Sequence, residues 1–516
     1  LLSISIIGSG LGGISAAIRL ACKGYNVTVY EKNPAPGGKA GEINQSGFRF
    51  DTGPSLLTMP FVIEELFASA GEKMSEHLTL NKLDNLCRYF YPGGTVLNAY
   101  SDPEKFGDEI NRLTSDSKET LHGYLDYCRT IYELTSDIFL FKDLYSLETY
   151  SNLKALKALF KLHKIDPFRT MDTANRSFFK DERIIQLFNR YATYNGSNPY
   201  KCPATLNIIP HVEYNIGGYY ISGGMHRLSE ELFALAKRCG VIFRFSSNVE
   251  KIITVGKIVK GIELEGGGII NSDAVVSNAD VYSVYAKLLD DNYTKAAKKY
   301  NNLEPSSSAL VFYWGVDITS GKLDTHNILF SSVYKKEFTE LFDKKIYPED
   351  PTAYIYISSK FSKNDAPPGK ENWFVMINAP NTQLSPSERE RLSPPVPPVV
   401  GLPQVFTITN NNIQQIKESI LNKIKTLTGY DIKDKIVCEN IMTPEDIESQ
   451  TGSIGGSIYG ISSNNRKAAF LRQPNRSKHY KGLYFCGGSS HPGGGIPLVI
   501  LSGKLAAESI LNDMHV

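Results

Sequence analysis

The hydrophobic period of the chain changes within its first thirty residues. In "SISIIGSGLGGISAAIRLACKGYNVTVYEK" (3–32), Ile4, Ile6 and Ile7 read as a buried parallel strand. The pattern then turns helical over 13–22, and "VTVYE" ends a second strand at Glu31. "GGYYISGGMHRLSEELFALAKRCGVIFRF" (217–245) repeats strand, turn, helix and strand, with Met225, Leu228, Leu232 and Leu235 forming one apolar helical face. From "NVEKIITV" onward, short β-branched segments broken by glycine predict a meander, followed by a buried strand in "DAVVSN". Near the C-terminus, "LYFC" predicts another buried strand. A glycine-rich run follows it and leads into a helix over 497–511, with Pro497 in the first turn.

At 516 residues the chain has room for two or more domains. Its 41% hydrophobic and 21% charged residues are those of a folded globular protein, and a net charge of +2 gives no signature for nucleic acid. The seven cysteines contain no CxxC pair and read as buried, reduced thiols in a cytoplasmic setting. No apolar run reaches the roughly 20 residues a spanning helix requires. The apolar N-terminus lacks a basic start and is interrupted by glycines, so it reads as mature structure, not a secretory signal. Neither a Ser/His/Asp triad nor a metal-ligand cluster stands out, and no metal is expected.

The first glycines carry chemistry. Gly8, Gly10 and Gly13 form GxGxxG between strand and helix: a tight turn, close approach to a pyrophosphate, and close helix–strand packing. Free N–H groups and the macrodipole at the helix start favour phosphate, and Glu31 stands where a ribose hydroxyl is bound. The continuation "EKNPAPGGKAGEINQSGFRFDTGPS" adds Gly37, Gly38, Lys39, Gly47 and Asp51. It resembles the flavoproteins of glutathione-reductase and amine-oxidase type, which bind FAD. Lys39 stands where arginine is frequent in that superfamily, a point charge in place of a bidentate fork.

Three further stretches narrow the resemblance: "LYFCGGSSHPGGGIPLVILSGKLAA", "FDTGPSLLTMP" and "YATYNGSNPYKCPAT". Together they are similar to the carotenoid (phytoene-type) desaturases, closest to the hydroxycarotenoid 3,4-desaturase branch. The resemblance implies an α/β fold with a discontinuous Rossmann-like FAD-binding domain over 1–85, 222–300 and 455–516. A second, α+β domain over 86–221 and 301–454 would hold the substrate and meet the membrane. It assigns to FAD the residues Gly8, Gly10, Gly12, Gly13, Glu31, Lys32, Gly38, Lys39, Gly53, Pro54, Ser55, Val249, Asn278, Gly487, Gly488, Gly495, Ile496 and Pro497.

In such enzymes a C–C bond beside a polyene becomes C=C, with hydride passing to flavin N5 and a proton leaving the adjacent carbon. The implied electron acceptor is a quinone or O2. His211 and Glu213 are the first candidates for proton acceptor, against a purely structural hydrogen-bonding role. Tyr219 and Tyr220 line a substrate tunnel or belong to an aromatic core. A substrate of about forty carbons, at roughly 0.8 kcal/mol per buried CH₂, cannot diffuse freely through water. The enzyme is therefore expected at a bilayer surface as a peripheral cytoplasmic protein. The lysine-striped stretch 151–164 is a candidate docking helix, with a solvated face packed on a core as the alternative. The five-proline segment 391–404 reads as a surface loop. A redox-neutral carotenoid isomerase, a flavin amine oxidase or a flavin-free prenyl carrier are the rival readings.

Overall fold

A computed structural model describes residues 2–144, 162–289, 300, 302–382, 410–465 and 472–514. A parallel sheet is built from β1 (Ser3–Ile7), β2 (Asn26–Tyr30), β9 (Ile242–Arg244), β13 (Ala274–Ser277) and β19 (Leu483–Phe485). Its order is β19-β13-β1-β2-β9, with every neighbouring pair parallel. The order reverses beside β1, which opens a crevice beyond the strand ends, the usual ligand position in such sheets. Strand β13 is buried along its whole length, as expected for the central Val275–Val276 pair flanked by small residues.

Helix α1 (Leu11–Ala21) lies against this sheet, the helix α3 (His226–Arg238) and the helix α4 (Ile496–Asp513). Ile14, Ala17 and Ile18 share one core with Leu228, Leu232, Leu235, Ile500 and Ile510, so the apolar face read from 225–235 is plain core. The helix begins two residues earlier than its hydrophobic pattern indicates, because extended Gly10 already serves as N-cap. The expected meander is β10 (Val249–Val255), β11 (Ile258–Leu264) and β12 (Gly268–Asn271), paired antiparallel.

A larger mixed sheet runs β18-β14-β17-β16-β15-β6-β7. Its strands are β6 (Asn85–Phe90), β7 (Val96–Tyr100), β14 (Ser308–Val316), β15 (His326–Leu329), β16 (Ala353–Tyr356), β17 (Glu371–Ala379) and β18 (Ile436–Met442). One of its faces packs into an aromatic core that includes Tyr89, Phe188, Tyr191, Tyr214 and Phe374, together with residues of the helix α2 (Lys118–Phe139). Two small ladders tie the halves of the chain together. The hairpin β3 (Glu42–Gln45) and β4 (Phe48–Asp51) sets Phe50 edge-on to Tyr313, and β5 (Leu80–Lys82) pairs with β8 (Tyr219–Ile221).

Two expectations meet different outcomes. The cysteines are all free, but burial is not uniform: Cys22 is exposed, and Cys239 and Cys438 are half-buried, since these positions lie at helix ends and a sheet edge. The lysine-striped stretch lies outside the described residues up to 161, and 391–404 lies wholly outside them. No helix among the described residues is long and apolar enough to cross a membrane.

The crossing of α1 and α4 depends on Gly503, where a Cβ would stand 2.4 Å from the Gly12 carbonyl and 2.8 Å from Ser15 Cβ. Backbone cannot yield there, so Gly503→Ala should destabilise the fold by about 1–3 kcal/mol. Thermal unfolding of apo-protein measures it; an unchanged midpoint would show that the helices can separate without cost.

Candidate functional site: a glycine cradle and a buried polar cluster

The cradle forms where β1, β13 and β19 end beside the N-terminus of α1. Gly8 has a φ of 93°, which turns the chain sharply into α1. A Cβ on Gly13 would stand 2.2 Å from the Gly8 carbonyl, so this glycine sets the helix tight against its strand. A Cβ on Gly10 would meet Asn278 Nδ2 at 2.6 Å, one on Gly12 would meet Asn278 Oδ1 at 2.7 Å, and one on Gly487 would meet the same oxygen at 2.8 Å. The Asn278 side chain therefore sits among three glycines from two segments far apart in sequence. Gly53 is held as closely: its Cβ would lie 2.1 Å from the Lys39 carbonyl. Gly488 is different, with no heavy atom nearer than 3.6 Å to a Cβ and no left-handed backbone, so sterics do not demand glycine there.

Glu31 is buried at the end of β2 and is densely hydrogen-bonded. Oε2 accepts from the Ser9 backbone N–H at 2.7 Å and from its hydroxyl at 2.9 Å, while Oε1 accepts from Asn33 N–H and Nδ2 at 2.9 Å each. Lys32 is exposed and its ammonium donates to the Ser449 carbonyl at 2.6 Å. Lys39 donates to the carbonyls of Ser457 and Ile458 at 3.1 and 2.8 Å. Loss of water lowers its pKa to about 8, partly countered by the charge of Asp280. A Cβ on Gly38 would stand 3.3 Å from the Gly10 Cα, so the second glycine pair lies close against the first. Val249 opens β10 and is buried with Ile7 and Tyr30. Ser55 follows Pro54 and its hydroxyl bonds the Tyr354 hydroxyl at 2.6 Å.

At the C-terminal end, Gly495 is the N-cap of α4 at a φ of 102°, exposed and facing open space, with Ile496 and Pro497 as the first helical residues. Neither α1 nor α4 has a side-chain cap or an acid in its first turn. Two bare positive helix ends converging on a glycine-lined crevice suit a dinucleotide carrying phosphates and a ring that gains negative charge. The residues present fit FAD.

The two proton-acceptor candidates are buried but part company. Along the π-helical turn His211–Ile216, His211 lies against the Tyr132 ring and its Nδ1 pairs with Asn215 Nδ2 at 2.7 Å. Burial, with Arg129 adding to it, lowers its pKa to about 4. Glu213 accepts from Tyr191 at 2.8 Å and from Tyr194 at 2.7 Å. Those two rings and Tyr89 surround buried Arg190, whose guanidinium carbon is 4.8–5.3 Å from the three centroids. Arg190 donates to the Tyr89 hydroxyl at 2.7 Å. Arg190 directly precedes the stretch at 191–205 that carries the family resemblance, yet nothing in the sequence gave the arginine a role of its own; a turn 3₁₀ in form (Arg190–Asn195) sets it against these rings. Of the tunnel candidates, Tyr220 is buried and packs its ring on Phe361, while Tyr219 is half-buried. No metal-binding cluster occurs among the described residues.

Residues 11–393 match the family of flavin containing amine oxidoreductases. The chain is 43% identical over 507 residues to the 1-hydroxycarotenoid 3,4-desaturase of Flavobacterium sp. (strain P99-3), covering 98% of each. It is 34% identical to the 4,4'-diaponeurosporene oxygenase of Staphylococcus haemolyticus (strain JCSC1435), covering 98% of this chain and 96% of that one. Among solved structures, an oxidoreductase from Methanosarcina mazei shares the fold at a TM-score of 0.61 and 16% identity, over 98% of this chain and all of its own. The chain thus belongs to the flavin containing amine oxidoreductase family, and its resemblance to carotenoid desaturases is borne out. It is an FAD-dependent oxidoreductase.

Lys39 supplies a pH test. If Lys39 lies along the FAD pyrophosphate, as the resemblance implies, the phosphates would favour its ammonium form, so FAD binding should take up a proton and affinity should fall as pH rises above about 8. The limiting slope is about tenfold per pH unit for one proton. Fluorescence titration of apo-protein between pH 7 and 10 measures it, and the same slope in Lys39→Met would assign the dependence elsewhere.

Proposed function

We propose that this protein is a carotenoid desaturase that introduces the 3,4 double bond of a 1-hydroxycarotenoid, with FAD as two-electron acceptor. The reading is carried by the 43% identity, over 98% of both chains, to a protein of that name. When bound, FAD supplies the acceptor for the hydride. Glu31, Lys32, Lys39 and the glycines at 8, 10, 12, 13, 38, 487 and 488 would hold it, with Gly53–Ser55, Val249, Asn278 and Gly495–Pro497 completing the contacts. We divide the work between 1–85, 222–300 and 455–516 for the cofactor and 86–221 and 301–454 for the polyene.

Loss of hydride leaves a cation spread over the polyene, so a modest base suffices for the proton. Glu213 is the better acceptor of the two candidates. Its carboxyl group is buried and oriented by two tyrosine hydroxyls, whose rings also flank Arg190. His211 is held neutral and weakly basic by burial. The aromatic walls exclude water, which protects the cation from capture. A long apolar substrate requires that the enzyme draw it from a bilayer surface, and a quinone or O2 would be the final acceptor of the electrons.

The relatives named as oxygenases support a second reading, oxidation of a carotenoid end group. Incubation of the FAD-loaded protein with an acyclic 1-hydroxycarotenoid in liposomes separates the two. Desaturation yields a product two hydrogens lighter with red-shifted absorption, oxygenation yields added oxygen, and isomerisation leaves the mass unchanged. No product lighter by two hydrogens from any acyclic or monocyclic carotenoid would end the desaturase reading.

Glu213→Gln keeps the shape and removes the base. Turnover should drop about 10²-fold or more with normal FAD content, whereas His211→Gln should change it by less than a tenth of that factor. Equal effects in single-turnover assays would remove Glu213 from the proton path.

A further inference from the structure

A protein interior has little reason to bury polar atoms without partners, yet two stand on directly opposed residues of the mixed sheet. His326 opens β15 and pairs in register with Tyr356 of β16. Their rings stack at 5.0 Å and 12°. His326 is 4% exposed and Tyr356 2%, and His326 Nε2 and the Tyr356 hydroxyl have no hydrogen-bond partner. Leaving such groups unsatisfied costs about 1–3 kcal/mol each, so each requires an explanation.

The other imidazole nitrogen is firmly held. His326 Nδ1 bonds the Tyr354 hydroxyl at 2.7 Å, and that hydroxyl bonds Ser55 Oγ at 2.6 Å. Ser55 belongs to the Gly53–Ser55 turn that the family resemblance assigns to FAD. The chain His326–Tyr354–Ser55 therefore runs from the unpartnered nitrogen to the cofactor side of the molecule. Tyr354 and Ser55 are half-buried, so this line borders accessible space and is not sealed in core.

We infer that His326 Nε2, with the Tyr356 hydroxyl beside it, hydrogen-bonds the substrate's tertiary hydroxyl and fixes which bond of the polyene meets the redox centre. The inference rests on the desaturase reading. Bond positions support it: C1, which bears the hydroxyl, is two bonds from C3, so the hydroxyl recogniser must adjoin the oxidised bond. The relay suits an alcohol. If the hydroxyls of Ser55 and Tyr354 donate toward Nδ1, Nε2 carries the proton and donates to the alcohol oxygen. If Nδ1–H donates outward, Nε2 accepts the alcohol proton. Burial, with Arg190 also acting against protonation and Asp324 acting for it, holds the ring near a pKa of about 4, so it remains neutral in either tautomer. Both neighbouring charges are already engaged: Asp324 pairs with Arg88 and Arg190 donates to Tyr89.

The test compares a 1-hydroxy acyclic carotenoid with the same polyene lacking the hydroxyl, presented in liposomes to FAD-loaded wild type, His326→Leu and His326→Gln. In wild type, kcat/KM should favour the alcohol by about 10²-fold or more. The ratio should fall toward unity in His326→Leu and recover in part in His326→Gln, whose amide can donate and accept. Carotenoid retained through purification gives the same ratio as binding, independent of turnover. A wild type that turns over neither polyene but binds the alcohol selectively, with selectivity lost in His326→Leu, would end the desaturase reading and leave the hydroxyl site standing. An unchanged ratio in both variants at normal FAD content would overturn the site and assign Nε2 to a structural role or a buried water.

Discussion

The structure turns on how closely α1 approaches its neighbours. One side of the helix is set against β1 at Gly13, where the next atom a Cβ would meet is the Gly8 carbonyl. The other is set against α4 at Gly503, over the Gly12 carbonyl. Glycine on both contacts lets three backbones pack without side chains between them, and the chain's first and last segments become one layer. That layer aims two helix N-termini, neither capped by a side chain, into a single crevice. Their dipoles add where phosphates and an electron-rich ring would lie.

Asn278 extends the same constraint. Its side chain fills the gap between Gly10, Gly12 and Gly487, so these glycines answer to a neighbouring asparagine as well as to a nucleotide. A glycine motif usually read as room for a pyrophosphate is here also a socket for a residue from β13's end. That explains why Gly488, one position on and clear of Asn278, is sterically unconstrained.

The mixed sheet works by the opposite means. Its core is aromatic and dense, and two of its polar networks run in lines: Tyr191 and Tyr194 on Glu213 beside Arg190, and Ser55 through Tyr354 to His326. In a low-dielectric interior each such group is costly unless satisfied, and the satisfied ones are held in one orientation. A substrate with almost no polar atoms can be positioned only by shape and by the rare hydrogen bond. In the proposed reading the aromatic packing would supply the first, and the unpartnered atoms on β15 and β16 the second.

Local pattern determined the parallel sheet, because a buried strand, a glycine turn and a helix are written in consecutive residues whose periods differ. It also determined the cofactor, since the fingerprint glycines, Glu31 and the GGK turn lie within the first forty residues. The helix starts were legible only to within two residues, because an extended glycine cap carries no hydrophobic signal. Tertiary structure alone decided the partners of the polar groups. His211 and Glu213 are two residues apart in sequence, yet the helical turn sends one to Tyr132 and the other to Tyr191 and Tyr194. Arg190, although it directly precedes the family stretch at 191–205, and His326 showed no role of their own, since a single arginine or histidine has no period. Their meaning comes from burial, and burial depends on which distant strands the folded chain sets side by side.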